Sequence, residues 1–170
     1  NGDCPLITAG LLHELDEALD RSGVMAFVSC QVDDPGRLGR VVRDASGAVK
    51  AVVEAADYDG DGGPAEINAG QYVFDAAWLW RTLPQVPLSP KGEYYLTHLV
   101  AAAAGAHPAV TVTAPPAEAL GVDDRVKLSG AEALMRARIL EGHMLAGVTI
   151  TDPATTYIDA SVRISQDVTV

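Results

Sequence analysis

The stretch VMAFVSCQV, residues 24–32, decides the fold class. It is rich in apolar and β-branched residues and contains neither glycine nor proline, which predicts a buried strand. Before it, Thr8 is placed to cap a helix whose apolar residues recur every three or four positions, and Gly23 is placed to end that helix. A buried strand that follows an amphipathic helix indicates an α/β domain.

The segments that follow continue the alternation of strands and helices. GRVVRDASGAVKAVVE (39–54) alternates on both sides of DASG, which predicts a hairpin. EINAGQYVFDA (66–76) and AVTVTA (109–114) are predicted strands, and GEYYLTHLVAAAAGA (92–106) is a predicted helix. We therefore expect a mixed α/β sheet with helices on both faces.

A last helix is predicted to begin at Ser129, because Glu132 three residues later completes a capping box. After Gly147 the pattern changes. Two sets of residues recur at intervals of six: Ile158, Ile164 and Val170, and Thr156, Val162 and Val168. This period is typical of a parallel β-helix. We therefore divide the chain into an α/β domain over 1–146 and the start of a β-helix over 147–170.

Composition excludes several functions. The chain of 170 residues has 12 basic and 23 acidic residues and a formal net charge of −11. This charge disfavours nucleic acid and anionic membrane as partners, since both require a positive surface. The two cysteines, Cys4 and Cys30, have no metal-ligand spacing, so we interpret them as free thiols in a reducing, cytoplasmic compartment.

One acidic motif imitates a calcium loop. DYDGDGG (57–63) places Asp57, Asp59, Asp61 and Gly62 at EF-hand spacing, but its twelfth position is Asn68 instead of glutamate. Strands, not helices, are predicted on both sides. We interpret the segment as a solvated turn.

Asn68 itself is notable because it lies inside an apolar strand. A polar amide at an inward position must find hydrogen-bond partners, or it destabilises the fold. Those partners are either other groups of the protein or a ligand, and the pattern alone leaves both readings open.

Seven segments in order carry a resemblance to a known family. They are GDCPLIT (2–8), DDPGRLGRVVRD (33–44), VVEAAD (52–57), EINAGQYVFD (66–75), GEYYLT (92–97), LGVDDRVKL (120–128) and MLAGVTITDPATTYID (144–159). Together they resemble the bacterial bifunctional N-acetylglucosamine-1-phosphate uridyltransferase/glucosamine-1-phosphate acetyltransferase. The resemblance implies a Rossmann-like, mixed-sheet nucleotide-sugar transferase domain, incomplete at its amino terminus, and then the first turns of a left-handed parallel β-helix.

The resemblance also implies a set of site residues. Asp3 matches a Mg²⁺ ligand beside the nucleotide phosphates, and Asn1 and Gly2 would lie along the nucleotide-sugar. Gly39, Glu54 and Asn68 match sugar-binding positions. The second metal position is Asp123, where the family usually has asparagine. Two further departures are His98 in place of the usual aspartate and Leu38 in place of the usual tyrosine.

The implied function is sugar-nucleotide synthesis in the cytoplasm, for peptidoglycan and lipopolysaccharide precursors. UTP and N-acetylglucosamine-1-phosphate would give UDP-N-acetylglucosamine and pyrophosphate, with Mg²⁺ as cofactor, in a parent protein that is a homotrimer. The family's glycine-rich loop, with its cationic catalytic groups, is absent, so no catalytic residue is assigned and we expect the isolated chain to be inactive. The alternatives are another sugar-1-phosphate nucleotidyltransferase with a β-helix tail, or a non-catalytic trimerising module.

Overall fold

The computed structural model describes residues 2–60, 62–89, 91–105 and 107–170. Its strands are β1 (Met25–Val32), β2 (Arg40–Arg43), β3 (Val49–Val53), β4 (Ala65–Phe74) and β5 (Val110–Thr113). Its α-helices are α1 (Ala9–Ser22), α2 (Ala76–Thr82), α3 (His98–Ala103) and α4 (Arg125–Leu145). The chain divides into two compact units, residues 1–120 and 121–170.

The first unit is built on one five-stranded sheet with the order β3-β2-β4-β1-β5. β1 pairs with β5 in parallel, whereas the β1/β4, β2/β3 and β2/β4 pairs are antiparallel. The predicted mixed sheet and the hairpin at residues 39–54 are therefore confirmed.

Burial explains why β1 is a central strand. Its first six residues are buried, and alternate side chains enter two separate hydrophobic clusters. Ala26, Val28 and Cys30 pack with α1 on one face of the sheet. Met25 and Phe27 pack on the other face with residues of α2 and α3. Helices thus cover both faces, as the sequence predicted.

The predicted limits of α1 are confirmed. The Thr8 hydroxyl accepts a hydrogen bond from the Leu11 N–H at 3.2 Å and caps the helix. Gly23 follows the last turn with a φ of +76°, a left-handed conformation that glycine adopts without steric cost.

Two predicted helix starts are wrong. The helix predicted over 92–106 begins only at His98, because Gly92 has a φ of +78° and the backbone of Ser89 pairs with that of Glu93. The last helix begins at Arg125 instead of Ser129, since the Asp124 carboxylate accepts a hydrogen bond from the Lys127 N–H at 2.7 Å and caps it one turn earlier.

The second unit contains α4 and the segment after it. Leu140 packs with Val148 and Ile150, and Ile158 and Ile164 lie against this cluster. One parallel bridge joins Thr149 to Thr169, with hydrogen bonds of 2.9 Å. This is a single closed turn of chain, so the β-helix and the boundary between residues 146 and 147 stay predictions.

Candidate functional site

The first unit contains a cavity of about 660 Å³ where β4 meets the loop before α3. Its polar wall includes Glu54, Asn68 and Thr97, and its other walls are largely aromatic and aliphatic. A concave site with a few convergent polar groups in an apolar lining is the usual form of a small-molecule pocket.

Two residues that the resemblance assigned to sugar binding, Glu54 and Asn68, line this cavity, and the third, Gly39, lies beside both. Gly39 directly precedes β2, and its carbonyl accepts a hydrogen bond from the Asn68 N–H on β4 at 2.9 Å. Glu54 directly follows β3, and a Cβ atom added to Gly39 would lie 3.6 Å from its Oε2 atom. The hairpin and β4 therefore bring together residues that are far apart in the sequence.

The Glu54 carboxylate is fixed by a residue that the sequence reasoning missed. The Thr97 hydroxyl donates a hydrogen bond to Glu54 Oε1 at 2.7 Å, and Thr97 is only 6% exposed. The signal available in the sequence was a polar residue at the end of GEYYLT, but nothing in that motif indicates its partner. Because this hydroxyl holds one oxygen of the carboxylate, the orientation of the other oxygen is fixed as well.

The Asn68 side chain finds partners within the protein, one of the two possibilities that the sequence left open. Its Oδ1 accepts a hydrogen bond from the Gly70 N–H at 3.0 Å, within the strand. The Tyr72 hydroxyl lies close to this side chain, and both residues line the cavity. The Oδ1 atom already accepts one bond from the backbone, and the Nδ2 group carries two N–H donors that a ligand could use.

A bulge in β4 makes the contact between Asn68 and Tyr72 possible. On β1, Phe27 faces Tyr72 and Ser29 faces Asn68, so four residue steps on β4 oppose two steps on β1. Gly70, inside this bulge, has a φ of +86°. A regular strand rises about 3.3 Å per residue, which would separate residues four apart by roughly 13 Å. The bulge shortens that separation and aims both side chains at the cavity.

The loop before α3 supplies two tyrosines that fall inside the helix predicted over residues 92–106. Tyr94 and Tyr95 both line the cavity, and Tyr94 forms an antiparallel bridge with Leu88. The Tyr95 ring meets the His98 ring edge-on, with 5.6 Å between centroids. Their cavity position follows from the loop conformation, since α3 begins after them.

The amino-terminal site residues are only partly described. Asn1 lies outside the described residues, and Gly2 and Asp3 are exposed. Asp3 lies beside the Cys4 thiol, which approaches the Gln71 amide that lines the cavity. Burial, and next the Asp3 charge, raise the pKa of Cys4. The predicted roles of Asn1, Gly2 and Asp3 therefore stay predictions.

Asp123 belongs to the second unit, at the residue before the α4 cap. It forms an ion pair with Lys127 at 2.7 Å, one helical turn away. Within the described residues, no group of three or more His, Cys, Asp or Glu side chains is arranged to hold a metal. The pairing of Asp3 and Asp123 around Mg²⁺ stays a prediction.

The structure also bears on the acidic segment, the two cysteines and the length of the helices. The described residues of the 57–63 segment are exposed, which confirms a solvated turn, and Asp61 lies outside the description. Cys30 is buried, Cys4 is partly buried, and neither forms a disulfide. Across the part of the chain that is described, no helix is long and apolar enough to cross a membrane.

The first unit is a mixed α/β sheet whose fold resembles that of a nucleotide-sugar transferase. The structure is similar to that of the CMP:2-keto-3-deoxy-manno-octonic acid synthetase complexed with CTP, with a TM-score of 0.55 and 20% identity. The match covers 81% of this chain and 60% of that chain. At this identity the likeness is one of fold.

The sequence is similar to more specific relatives, although no family model matches it. It is 41% identical to Bifunctional protein GlmU of Geobacillus sp. (strain WCH70) and of Thermobifida fusca (strain YX), and 42% identical to that of Caldanaerobacter subterraneus subsp. tengcongensis. Each match covers 98% of this chain, which spans only 35–37% of the length of these relatives. The resemblance to the bifunctional family is confirmed.

Proposed function

We propose that the chain forms the sugar-binding part of an enzyme that makes UDP-N-acetylglucosamine and pyrophosphate from UTP and N-acetylglucosamine-1-phosphate. The product would serve peptidoglycan and lipopolysaccharide synthesis. The observation that carries this proposal is that Glu54 and Asn68 line one cavity and that Gly39 lies beside both of them. The similarity to the bifunctional proteins over 98% of the chain supports it.

The residue types suit a ligand rich in hydroxyl groups. Glu54 offers a carboxylate oxygen that accepts hydrogen bonds from sugar hydroxyls, while its other oxygen is held by Thr97. The Asn68 Nδ2 group donates to sugar oxygens. In the proposed reaction these groups orient the sugar-1-phosphate so that its phosphate oxygen faces the α-phosphate of UTP, and orientation is the main contribution that a protein makes to phosphoryl transfer.

Asp3 and Asp123 are the proposed ligands of Mg²⁺. Their carboxylates are the hard oxygen donors that Mg²⁺ prefers, and proteins commonly hold this ion with one or two carboxylates and substrate phosphates. The donor set therefore fits, although the described residues contain no larger ligand group. When bound, the ion would neutralise charge on the triphosphate. Asp123→Asn removes a negative charge, so the restored enzyme should need more Mg²⁺ for half-maximal rate.

Residues 147–170 are proposed to begin a left-handed β-helix that assembles the parent protein as a homotrimer. The six-residue period and the parallel bridge between Thr149 and Thr169 support this assignment. The proposed location of the enzyme is the cytoplasm, where UTP and sugar phosphates are available.

Calorimetric titration with N-acetylglucosamine-1-phosphate tests the proposal. The chain should bind this compound, and Asn68→Ala should weaken binding by about 1–3 kcal/mol, the scale of a lost buried hydrogen bond. Gln85→Ala is the matched control, because the Gln85 amide donates a hydrogen bond to the Arg81 carbonyl and neither residue lines the cavity. Equal affinity of the two variants would contradict the assignment of Asn68 to the sugar.

A second measurement concerns catalysis. The purified chain should release no pyrophosphate from UTP and N-acetylglucosamine-1-phosphate with Mg²⁺, since no cationic phosphate loop is present in its sequence. Fusion of the upstream region of a homologue should restore the release. A fused protein that prefers another nucleotide or another sugar phosphate would support the alternative nucleotidyltransferase, and a fused protein without activity would support the non-catalytic module.

A further inference from the structure

A tyrosine to which the sequence analysis assigned no role lies among the proposed sugar contacts. Tyr72 is on β4, four residues after Asn68, and its side chain lines the same cavity as Asn68, Glu54 and Thr97. The bulge described above shortens the distance along the strand between Asn68 and Tyr72. Nothing in the sequence distinguishes Tyr72 from the apolar residues around it.

The ring of Tyr72 is held in place by its neighbours. Its centroid lies 5.9 Å from that of Phe27, which is fully buried, and 5.7 Å from that of Phe74. Phe74 in turn stacks on Trp78 at 6.4 Å. Aromatic contacts at these distances are favourable, and they fix the position of the hydroxyl at the wall of the cavity.

The hydroxyl remains protonated under all ordinary conditions. Burial, together with the Glu54 charge, raises the pKa of Tyr72 to about 12 against the opposing effect of Asn68. A neutral phenol keeps its proton and can donate it in a hydrogen bond to an acceptor. Tyr72 is therefore a fixed, neutral hydrogen-bond donor.

We propose that Tyr72 is a specificity-determining residue that donates a hydrogen bond to an acceptor oxygen of the sugar phosphate bound at Glu54 and Asn68. This inference rests on the function proposed above and adds a residue to it. Glu54 supplies only acceptors, so a ligand oxygen that needs a donor must find it at another group of the cavity wall, and Tyr72 is a donor there whose ring is fixed by its aromatic neighbours. The acceptor oxygen is either the carbonyl of an N-acetyl group or a hydroxyl of the sugar ring.

The test is calorimetric titration of the chain and of Tyr72→Phe with two probes, N-acetylglucosamine-1-phosphate and glucose-1-phosphate. The variant removes one oxygen and keeps the ring, so near-ultraviolet circular dichroism should show unchanged aromatic packing. We expect about 3- to 15-fold weaker binding, which corresponds to the loss of one hydrogen bond. Tyr157→Phe is the matched control: its ring lies 4.3 Å from the Arg136 guanidinium in the second unit.

The two probes identify the acceptor oxygen. A loss confined to N-acetylglucosamine-1-phosphate would assign the acetyl carbonyl, and an equal loss for both probes would assign a ring hydroxyl. Unchanged affinity for both would overturn the role of Tyr72 while leaving the proposed function intact. If the unmodified chain bound neither probe, the proposed function would be refuted, and this inference would be refuted with it.

A second measurement does not depend on any variant. The ¹³C resonance of the Tyr72 ring carbon that bears the hydroxyl should shift when N-acetylglucosamine-1-phosphate is added to the unmodified chain, because a new hydrogen bond changes the electron density at that carbon. The corresponding carbon of Tyr157 should not shift. A Tyr72 resonance that stays in place while calorimetry reports binding would also overturn the inference.

Discussion

Gly39→Ala should destabilise the first unit for a reason that is independent of the sugar. A methyl group at Gly39 would lie 2.9 Å from Val52 Cγ1, roughly 1 Å closer than the usual carbon–carbon contact. Val52 is only 6% exposed and is part of β3, so it has little freedom to move. Overpacking of this kind typically costs about 1–3 kcal/mol. The lower chain entropy of alanine in the unfolded state offsets about 0.4–1 kcal/mol of that cost.

We therefore expect a net loss of about 1–2 kcal/mol in the free energy of unfolding. Urea unfolding followed by tryptophan fluorescence is a suitable assay, because both tryptophans, Trp78 and Trp80, lie in the first unit and report on it alone. Gly10→Ala is the matched control: it lies in α1, where the nearest atom to the new methyl would be Thr8 Oγ1 at an ordinary 3.8 Å. This control should be as stable as the parent chain or slightly more stable.

A double-mutant cycle isolates the contact. Val52→Ala removes the atom that a Gly39 methyl would strike, so the double variant should lose at least about 1 kcal/mol less than the sum of the two single losses. The steric account would be refuted if Gly39→Ala matched the Gly10→Ala control, or if the coupling lay within about 0.5 kcal/mol of zero. Gly39 would then be required for ligand contact alone.

Three further predictions concern groups described by the structure. Thr97→Val should weaken N-acetylglucosamine-1-phosphate binding by about 3- to 15-fold, and Thr97→Ser should restore it, as measured by calorimetry. The Glu66 carboxylate is partly buried, which disfavours its charge, but two hydrogen bonds from Arg43 at 2.6 and 2.7 Å outweigh this and lower its pKa. The stability that this carboxylate contributes should be present above about pH 4.3 and be lost as the pH falls through its lowered pKa. In Glu66→Gln, the midpoint of urea unfolding should therefore change less between pH 5 and pH 3 than in the parent chain. Cys4 should react with a disulfide reagent at pH 8 more slowly than a free thiol, and Cys30 only after unfolding in urea, because burial raises the pKa of both thiols.

Much of the sheet could be predicted from the sequence because its strands depend on local composition. The run of apolar residues at 24–32 and the alternation on both sides of DASG each indicate one structure, and the sheet contains both. The start of α4 could not be predicted in this way. Asp124 and Ser129 are both chemically suitable caps, and the choice between them depends on which turn of the helix the surrounding chain permits.

The candidate site shows a similar division. The resemblance identified three site residues, Gly39, Glu54 and Asn68. The structure places them next to one another. Thr97 and Tyr72 were missed because their roles depend on long-range geometry. Thr97 acts through a loop that the helical pattern of residues 92–106 concealed. The position of Tyr72 depends on a shift in strand register, which leaves no clear mark on the side-chain pattern.

The bulge in β4 interrupts the regular pairing of the sheet and, at the same place, shapes the wall of the cavity. Deletion of Ala69 and Gly70 would restore a continuous ladder between β1 and β4, because four residue steps would become two. The shortened strand would keep every interstrand pair on both sides of the deletion. In the same change, the stretch of chain that brings Asn68 and Tyr72 to one wall of the cavity would disappear. A variant without Ala69 and Gly70 would therefore keep the pairing of the sheet and lose the shape of the site.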